Sequence, residues 1–176
     1  MNQSLKYALG LLLVSVLRLL PHPPNVEPIT ATLMPFSKRW GAWSGALFGV
    51  AAVLIYDLTT GMLGVWSLLT MLGYGLLGIG AGFYFANGKR TGVVHYVAFA
   101  VAGTVFYDAL TGLTVGPLVF HQPFMEALVG QIPFTLYHLA GNIVLSAIIS
   151  PLVERFVVEN PKLETSYLAH STGTRA

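Results

Sequence analysis

Apolar residues dominate the first 150 positions of the chain, in blocks broken by short polar or proline-containing segments. Five blocks, 4–20, 41–57, 65–86, 93–110 and 127–150, reach or approach the about 20 residues, or roughly 17 for an upright helix, that a bilayer crossing requires. A sixth, 29–37, is apolar but too short to cross, and predicts either a stub helix or the outer part of a bent one. The expected fold is an all-α integral membrane protein, a bundle of six transmembrane helices with a short second one. Residues 1–156 form one domain in this reading. The stretch 157–176 loses the hydrophobic pattern, ends in HSTGTRA and is expected to be a poorly ordered cytoplasmic tail.

Charge orients the blocks, because short cytoplasmic loops collect Lys and Arg. If 29–37 counts as a crossing, Lys6, Lys38, Arg39, Lys89, Arg90, Arg155 and Lys162 all fall on one side, which places both termini in the cytoplasm. Six crossings fit this pattern and five do not. The opposite side receives Glu27, Asp57, Asp108, His121 and Glu126, with Arg18 its one cation.

Composition agrees with the pattern. The chain is 55% hydrophobic and 9% charged, where a soluble domain carries roughly a quarter charged residues, so a multi-pass membrane protein is expected. The absence of cysteine excludes disulfides, thiolate metal sites and thiol nucleophiles. The net charge of +2 is dispersed in pairs at loop ends and forms no nucleic-acid patch. GFYFANGKR, 82–90, lacks the spacing of a phosphate loop and has Arg90 where Ser or Thr must hold magnesium. Gly45-xxx-Gly49, Gly78-xxx-Gly82 and Ala98-xxx-Ala102 have the spacing at which helix backbones approach closely in lipid.

Two segments repeat. IYDLTTG, 55–61, and FYDALTG, 106–112, end different apolar blocks and suggest a duplicated helix-plus-corner unit. Each Asp is expected in the last turn of its helix, with Gly61 or Gly112 in the left-handed position that closes it and a longer loop after the second copy. The carboxylates then either brace the corners through backbone N–H groups or line an outward-facing pocket, and the two roles are compatible.

The last block carries Gln131, Thr135, His138 and Asn142 at i, i+4, i+7 and i+11, one face of an otherwise apolar helix. Thr104, Asp108 and Thr111 make a shorter stripe on the fifth. Polar side chains at membrane depth are costly and face the bundle interior or a wet cavity, so the two stripes predict a polar cleft open to the outside. Pro133, near Gly130, is expected to bend its helix. The substrate-binding candidates are Asp57, Tyr107, Asp108, Gln131, Thr135, His138 and Asn142, with Tyr56, Trp66, Phe120 and Tyr137 as further ring-stacking groups. Arg18, if turned inward, would pair with a substrate carboxylate or with Asp57 or Asp108. Segments 21–28 (PHPPNVEP) and 114–127 (TVGPLVFHQPFMEA) are candidate covers. His22, His121 and His138 have no metal-ligand spacing, and no cofactor is indicated.

RLLPHPPN at 18–25, the Tyr-Asp-x-x-Thr-Gly corners and GQIPFTLYHLAGNIV at 130–144 leading to Ser150-Pro151 resemble the substrate-binding S components of energy-coupling factor transporters. The resemblance spans about residues 5–155. It implies a six-helix bundle that captures a vitamin-like micronutrient and works with a transmembrane coupling subunit and two cytoplasmic ATPases. The first helix departs from the pattern, with Ala8-xxx-Leu12 where many S components have Ala-xxx-Ala, and the Met-Asn-Gln start lacks the histidine of nickel and cobalt relatives. Two other readings compete: a membrane scaffold, and an intramembrane aspartate enzyme, which the missing Gly-x-Gly-Asp motif disfavours. No enzymatic activity is expected.

Overall fold

The structure, a computed structural model, describes residues 3–23, 25–88 and 90–164. Six α-helices follow one another: α1 (Gln3–Leu19), α2 (Ile29–Trp40), α3 (Ala42–Thr60), α4 (Val65–Phe85), α5 (Val93–Val119) and α6 (Phe124–Val153). A π-helical turn, Glu154–Val158, and a short 3-10 turn, Pro161–Leu163, complete the described chain. There is no strand among the described residues. Helices α3, α4, α5 and α6 are long and apolar enough to cross a membrane. Their outer surfaces carry exposed Leu, Val, Ile and Phe side chains, among them Leu47, Leu68, Phe83 and Val144.

Two hairpins dominate the packing, α3 with α4 and α5 with α6, and α2 lies between them while α1 rests on α3. Between lipid-exposed helices the hydrophobic effect contributes little, so association depends on close van der Waals packing and interhelical hydrogen bonds. In the α3–α4 hairpin glycines supply that closeness. A Cβ on Gly78 would stand 2.2 Å from the Gly45 carbonyl carbon, and one on Gly49 2.7 Å from the Tyr74 carbonyl oxygen. The Gly-xxx-Gly spacings therefore serve the interface expected of them. Ala98 and Ala102 do not, because α5 turns both outward.

Helix α2 is buried from Ile29 through Ser37, with Ile29, Leu33, Met34 and Phe36 fully enclosed and Thr32 and Ser37 bonded back to carbonyls of the preceding turn. The Phe36 ring stacks on Phe48 at 4.4 Å and meets Tyr7 edge-on at 5.0 Å. Of the two forms expected for 29–37, the stub is the one observed. Its 12 residues rise only about 18 Å, and the non-helical residues just before it, Asn25–Glu27, are half-buried. Val26 in that segment packs against Gly141, past the midpoint of α6.

One end of the bundle is tied by cations. Lys6 Nζ donates to the Val158 carbonyl at 2.8 Å and pairs with Glu164 at 3.5 Å, while Lys38 pairs with Glu154 at 2.5 Å. These contacts bring the start of α1, the end of α2 and the end of α6 together. Helical structure continues through Val158, which is buried, and Glu164 pairs back with Lys6 of α1. The rest of the expected tail, 165–176, and Lys89 lie outside the described residues.

The repeated segments adopt different structures. In the first, Gly61 has φ 70° and its N–H returns to the Asp57 carbonyl, closing α3 as expected. In the second, α5 runs on to Val119 through Pro117, so Asp108 is far from a helix end and Gly112 closes nothing. The expected loop 114–127 shrinks to the link 120–123.

Substituting Gly78 with Leu should force α3 and α4 apart and cost more than the about 1–3 kcal/mol typical of overpacking. Gly130, with open space around its Cα, is the control: Gly130→Ala should be neutral or stabilising by up to about 1 kcal/mol. Thermal unfolding of the purified protein in detergent compares the two, and equal melting temperatures would contradict the packing described.

Candidate functional site

Helices α5 and α6 meet through polar side chains at heights one turn apart. The i, i+4 spacing of Thr104 and Asp108 matches that of His138 and Asn142, so two rungs form. His138 Nδ1 and Asp108 Oδ1 are 2.7 Å apart, and Asn142 Nδ2 donates to Thr104 Oγ1 at 2.8 Å. Both rungs are buried, with Asp108 1% and His138 3% exposed, and both stand near the middle of the two long helices. On the outer side of the rungs Gln131 packs on Gly112 so closely that a Cβ there would overlap its side-chain oxygen. The polar stripe also continues inward, since Ser146 donates to the Asn142 carbonyl at 2.5 Å and Ser150 to the Ala31 carbonyl of α2 at 2.8 Å.

The rungs leave part of their bonding capacity open. Asp108 Oδ2, His138 Nε2 and Asn142 Oδ1 are all buried and have no protein partner. Beside them Tyr107 presents its ring to His138 at 5.9 Å and packs on Tyr74 at 4.6 Å, whose buried hydroxyl is also unpartnered. Gly73 makes room for the Tyr107 ring. A buried polar atom without a partner costs about 1–3 kcal/mol, and four in one neighbourhood mark a place suited to a polar guest.

A second cluster adjoins the first. The Arg18 guanidinium stacks on the Tyr56 ring at 3.7 Å, and its Nε lies 3.0 Å from Glu27 Oε2. That Nε–H points off the line to the oxygen, so the contact is an ion pair more than a hydrogen bond; Nη2 donates to Glu27 Oε1 at 3.4 Å. Arg18 thus turns inward, but its partner is Glu27 and not Asp57 or Asp108. The pair ties Glu27 to α1, and the neighbouring Val26 packs on Gly141.

Among the sequence candidates, Tyr107, Asp108, His138 and Asn142 come together, with Gln131 and Thr135 bonded to each other one turn further out at 3.2 Å. Gln131 and Thr135 also border a shallow groove of about 250 Å³ with Leu128, Ile132 and Leu136. Asp57 does not join them: it ends α3, whose neighbours are α1, α2 and α4, whereas Asp108 faces α6. The aromatic set disperses too. Tyr137 points away at 69% exposed, and Trp66 and Phe120 stack on each other at the surface, 5.5 Å apart. The expected open cleft is closed here, because the stripes bond to each other and Val26 and Tyr107 cover them. Sequence reasoning missed Tyr74, which stands between Gly73 and Gly75 in a glycine-rich helix, and Ser146 and Ser150, which extend the i+4 stripe it had begun.

Another cavity, of about 270 Å³, lies at the opposite end between Gln3, Lys6, Arg39, Trp40 and Glu164. Its Lys6 is already engaged by Val158 and Glu164, so it is a recess between helix ends. Among the described residues no group of three His, Asp or Glu side chains is placed to hold a metal.

The Asp108–His138 contact makes a double-mutant cycle informative. Asp108→Ala and His138→Ala should each destabilise the protein by roughly 3 kcal/mol, as expected when one member of a buried pair is removed. The double variant should lose well under the sum, with a coupling of about 1–3 kcal/mol. Additive losses in chemical unfolding would show that the two side chains act independently.

No curated protein and no solved structure gives a significant match to the chain. A family model does, over residues 1–163, and the chain accordingly belongs to a family described only as a family of unknown function, DUF6580.

Proposed function

We propose that this protein is the substrate-capture membrane subunit of an uptake transporter of the energy-coupling factor kind, taking a small organic micronutrient from outside the cell into the α5–α6 seam. The observation that carries this reading is the group of buried, unpartnered polar atoms on Asp108, His138, Asn142 and Tyr74, set midway along helices long enough to cross a bilayer. A scaffold needs no such group, since polar side chains that only fasten helices are favoured when every bond is made. Irregular backbone at membrane depth is tolerated where it is enclosed by protein or lines a cavity, and residues 25–28 fit that role as a cover held by Arg18–Glu27 and Val26.

The orientation follows from charge. The end bearing Lys6, Lys38, Arg39 and Arg90 belongs in the cytoplasm and the Asp57–Met62 corner outside, with α1 and the stub α2 completing six crossings. Energy then has to come from partners, a transmembrane coupling subunit and two ATPases, because the chain carries no phosphate loop. An aspartate-dependent enzyme of the dyad kind would need Asp57 beside Asp108, and the helices that carry them, α3 and α5, do not pack against each other.

Mass spectrometry of small molecules released from the purified protein tests the reading. The wild type should carry a small molecule that Asn142→Leu loses while keeping its fold, and a coupling subunit with ATPases should co-purify. Co-purification of cell-wall or division proteins, with no molecule released, would favour the scaffold. The cysteine-free sequence also suits single-cysteine labelling: Ser4→Cys and Thr91→Cys should react only from inside, Thr59→Cys and His121→Cys only from outside. Labelling of Ser4→Cys and Thr59→Cys from one side would refute the six-crossing arrangement.

A further inference from the structure

Arg18 stands in the last turn of α1 and is buried, at 9% exposed. A guanidinium keeps its charge at every pH a cell meets and presents its N–H donors in a planar fork. Two parallel bonds from that fork to one carboxylate, at about 2.7–2.9 Å, are the strong contact it can make. Glu27 does not receive it. Nη2 reaches Oε1 at 3.4 Å, Nε stands 3.0 Å from Oε2 without a hydrogen bond, and Nη1 reaches only the Ala52 carbonyl, at 3.5 Å. The buried fork is held near a carboxylate and poorly bonded to it.

The two partners are fixed to different degrees. Arg18 is set by its helix and by the Tyr56 ring, 3.7 Å from the guanidinium, which adds cation–π attraction. Glu27 belongs to the non-helical residues Asn25–Glu27, and its side chain is 25% exposed. If the pair separates, the carboxylate has water to enter and the cation stays in place. An ionised Glu27 competes for the fork and a protonated one leaves its charge unanswered, so a carboxylate that bonds the fork squarely is favoured in both cases. Arg18 also adjoins the seam, since Tyr74 and Tyr107 both lie within electrostatic reach of Arg18, Glu27 and Asp108.

Resting on the binding role given above, we propose that the ligand carries a carboxylate, which takes the place of Glu27 on the Arg18 fork while the rest of the molecule lies against Tyr74 and Tyr107 toward the α5–α6 seam. Glu27 is the placeholder of the empty state. Its displacement gives Arg18 a two-bonded partner and returns the Glu27 side chain to water.

The test uses the full-length protein in detergent, with benzoate and phenylacetate as carboxylate probes and benzylamine, benzyl alcohol and phenyl phosphate as cationic, neutral and phosphate controls. Thermal shift and isothermal titration calorimetry read binding. The carboxylates should raise the melting temperature and the controls should not. Arg18→Gln should weaken carboxylate binding by roughly tenfold to hundredfold, the loss expected for a hydrogen bond to a charged group. Glu27→Gln should strengthen it by about fivefold, because the variant lacks the competing ion pair. This gain separates a placeholder from a brace, and it is readable even if Arg18→Gln fails to fold. Unchanged or weaker carboxylate binding in Glu27→Gln overturns the proposal, as does an equal gain from Glu126→Gln, which removes an exposed carboxylate of α6. Controls that bind as well as the carboxylates, or failure of every probe, overturn it too. A molecule without a carboxylate released from the purified wild type would refute the proposal and leave the capture role standing, whereas release of no molecule together with failure of every probe would remove both.

Discussion

A polar side chain buried away from water must be answered by another protein group, and the contact between Asp108 and His138 is where this fold meets that requirement most expensively. A carboxylate and an imidazole stand 2.7 Å apart, each nearly inaccessible, midway along the two longest helices. Their positions are set by the pairing of α5 with α6, and everything around them follows: Asn142 meets Thr104 one turn away, Gln131 fits the Cα surface of Gly112, and Tyr107 is held between His138 and Gly73. Moving either helix by a residue would break both rungs together, so the seam fixes the register of the hairpin as well as building the site.

The two hairpins solve the same packing problem by opposite means. Between α3 and α4, glycines bring backbones into contact and no polar side chain is needed. Between α5 and α6, Gly112 makes room for Gln131, and two buried side-chain contacts, Asp108–His138 and Thr104–Asn142, cross the interface. Helix α2, too short to run the length of either hairpin, fills the space between them at one end. Before its N-terminus the half-buried residues Asn25–Glu27 take up part of that space, and Val26 reaches Gly141. The interior beside the rungs is thus closed by an irregular segment held by one ion pair and one apolar contact, the kind of element that opens at modest cost.

Much of this was legible in the sequence. Apolar block lengths gave the six helices to within a few residues, except where α5 and α6 extend beyond their blocks, because Pro117 and the polar stretch around His121 read as a loop. Helical periodicity placed Gln131, Thr135, His138 and Asn142 on one face, and their partners on α5 were read from the same rule. The repeated Tyr-Asp-x-x-Thr-Gly misled because glycine has two uses that look alike in a sequence: Gly61 adopts a left-handed turn, whereas Gly112 stays helical and yields space to Gln131. Which one applies depends on a residue of another helix. For the same reason the pairing of Arg18 with Glu27, the separation of Asp57 from Asp108 and the stacking of Tyr74 on Tyr107 were invisible, since each is decided by which helices become neighbours.

The most direct test of this account is the nitrogen NMR spectrum of labelled His138 in the full protein in a nanodisc. A buried imidazole whose Nδ1 is bonded to Asp108 Oδ1 should show a slowly exchanging ring proton, and Asp108→Asn should shift that signal and speed its exchange. A His138 signal that exchanges rapidly with water and is unmoved by Asp108→Asn would contradict it.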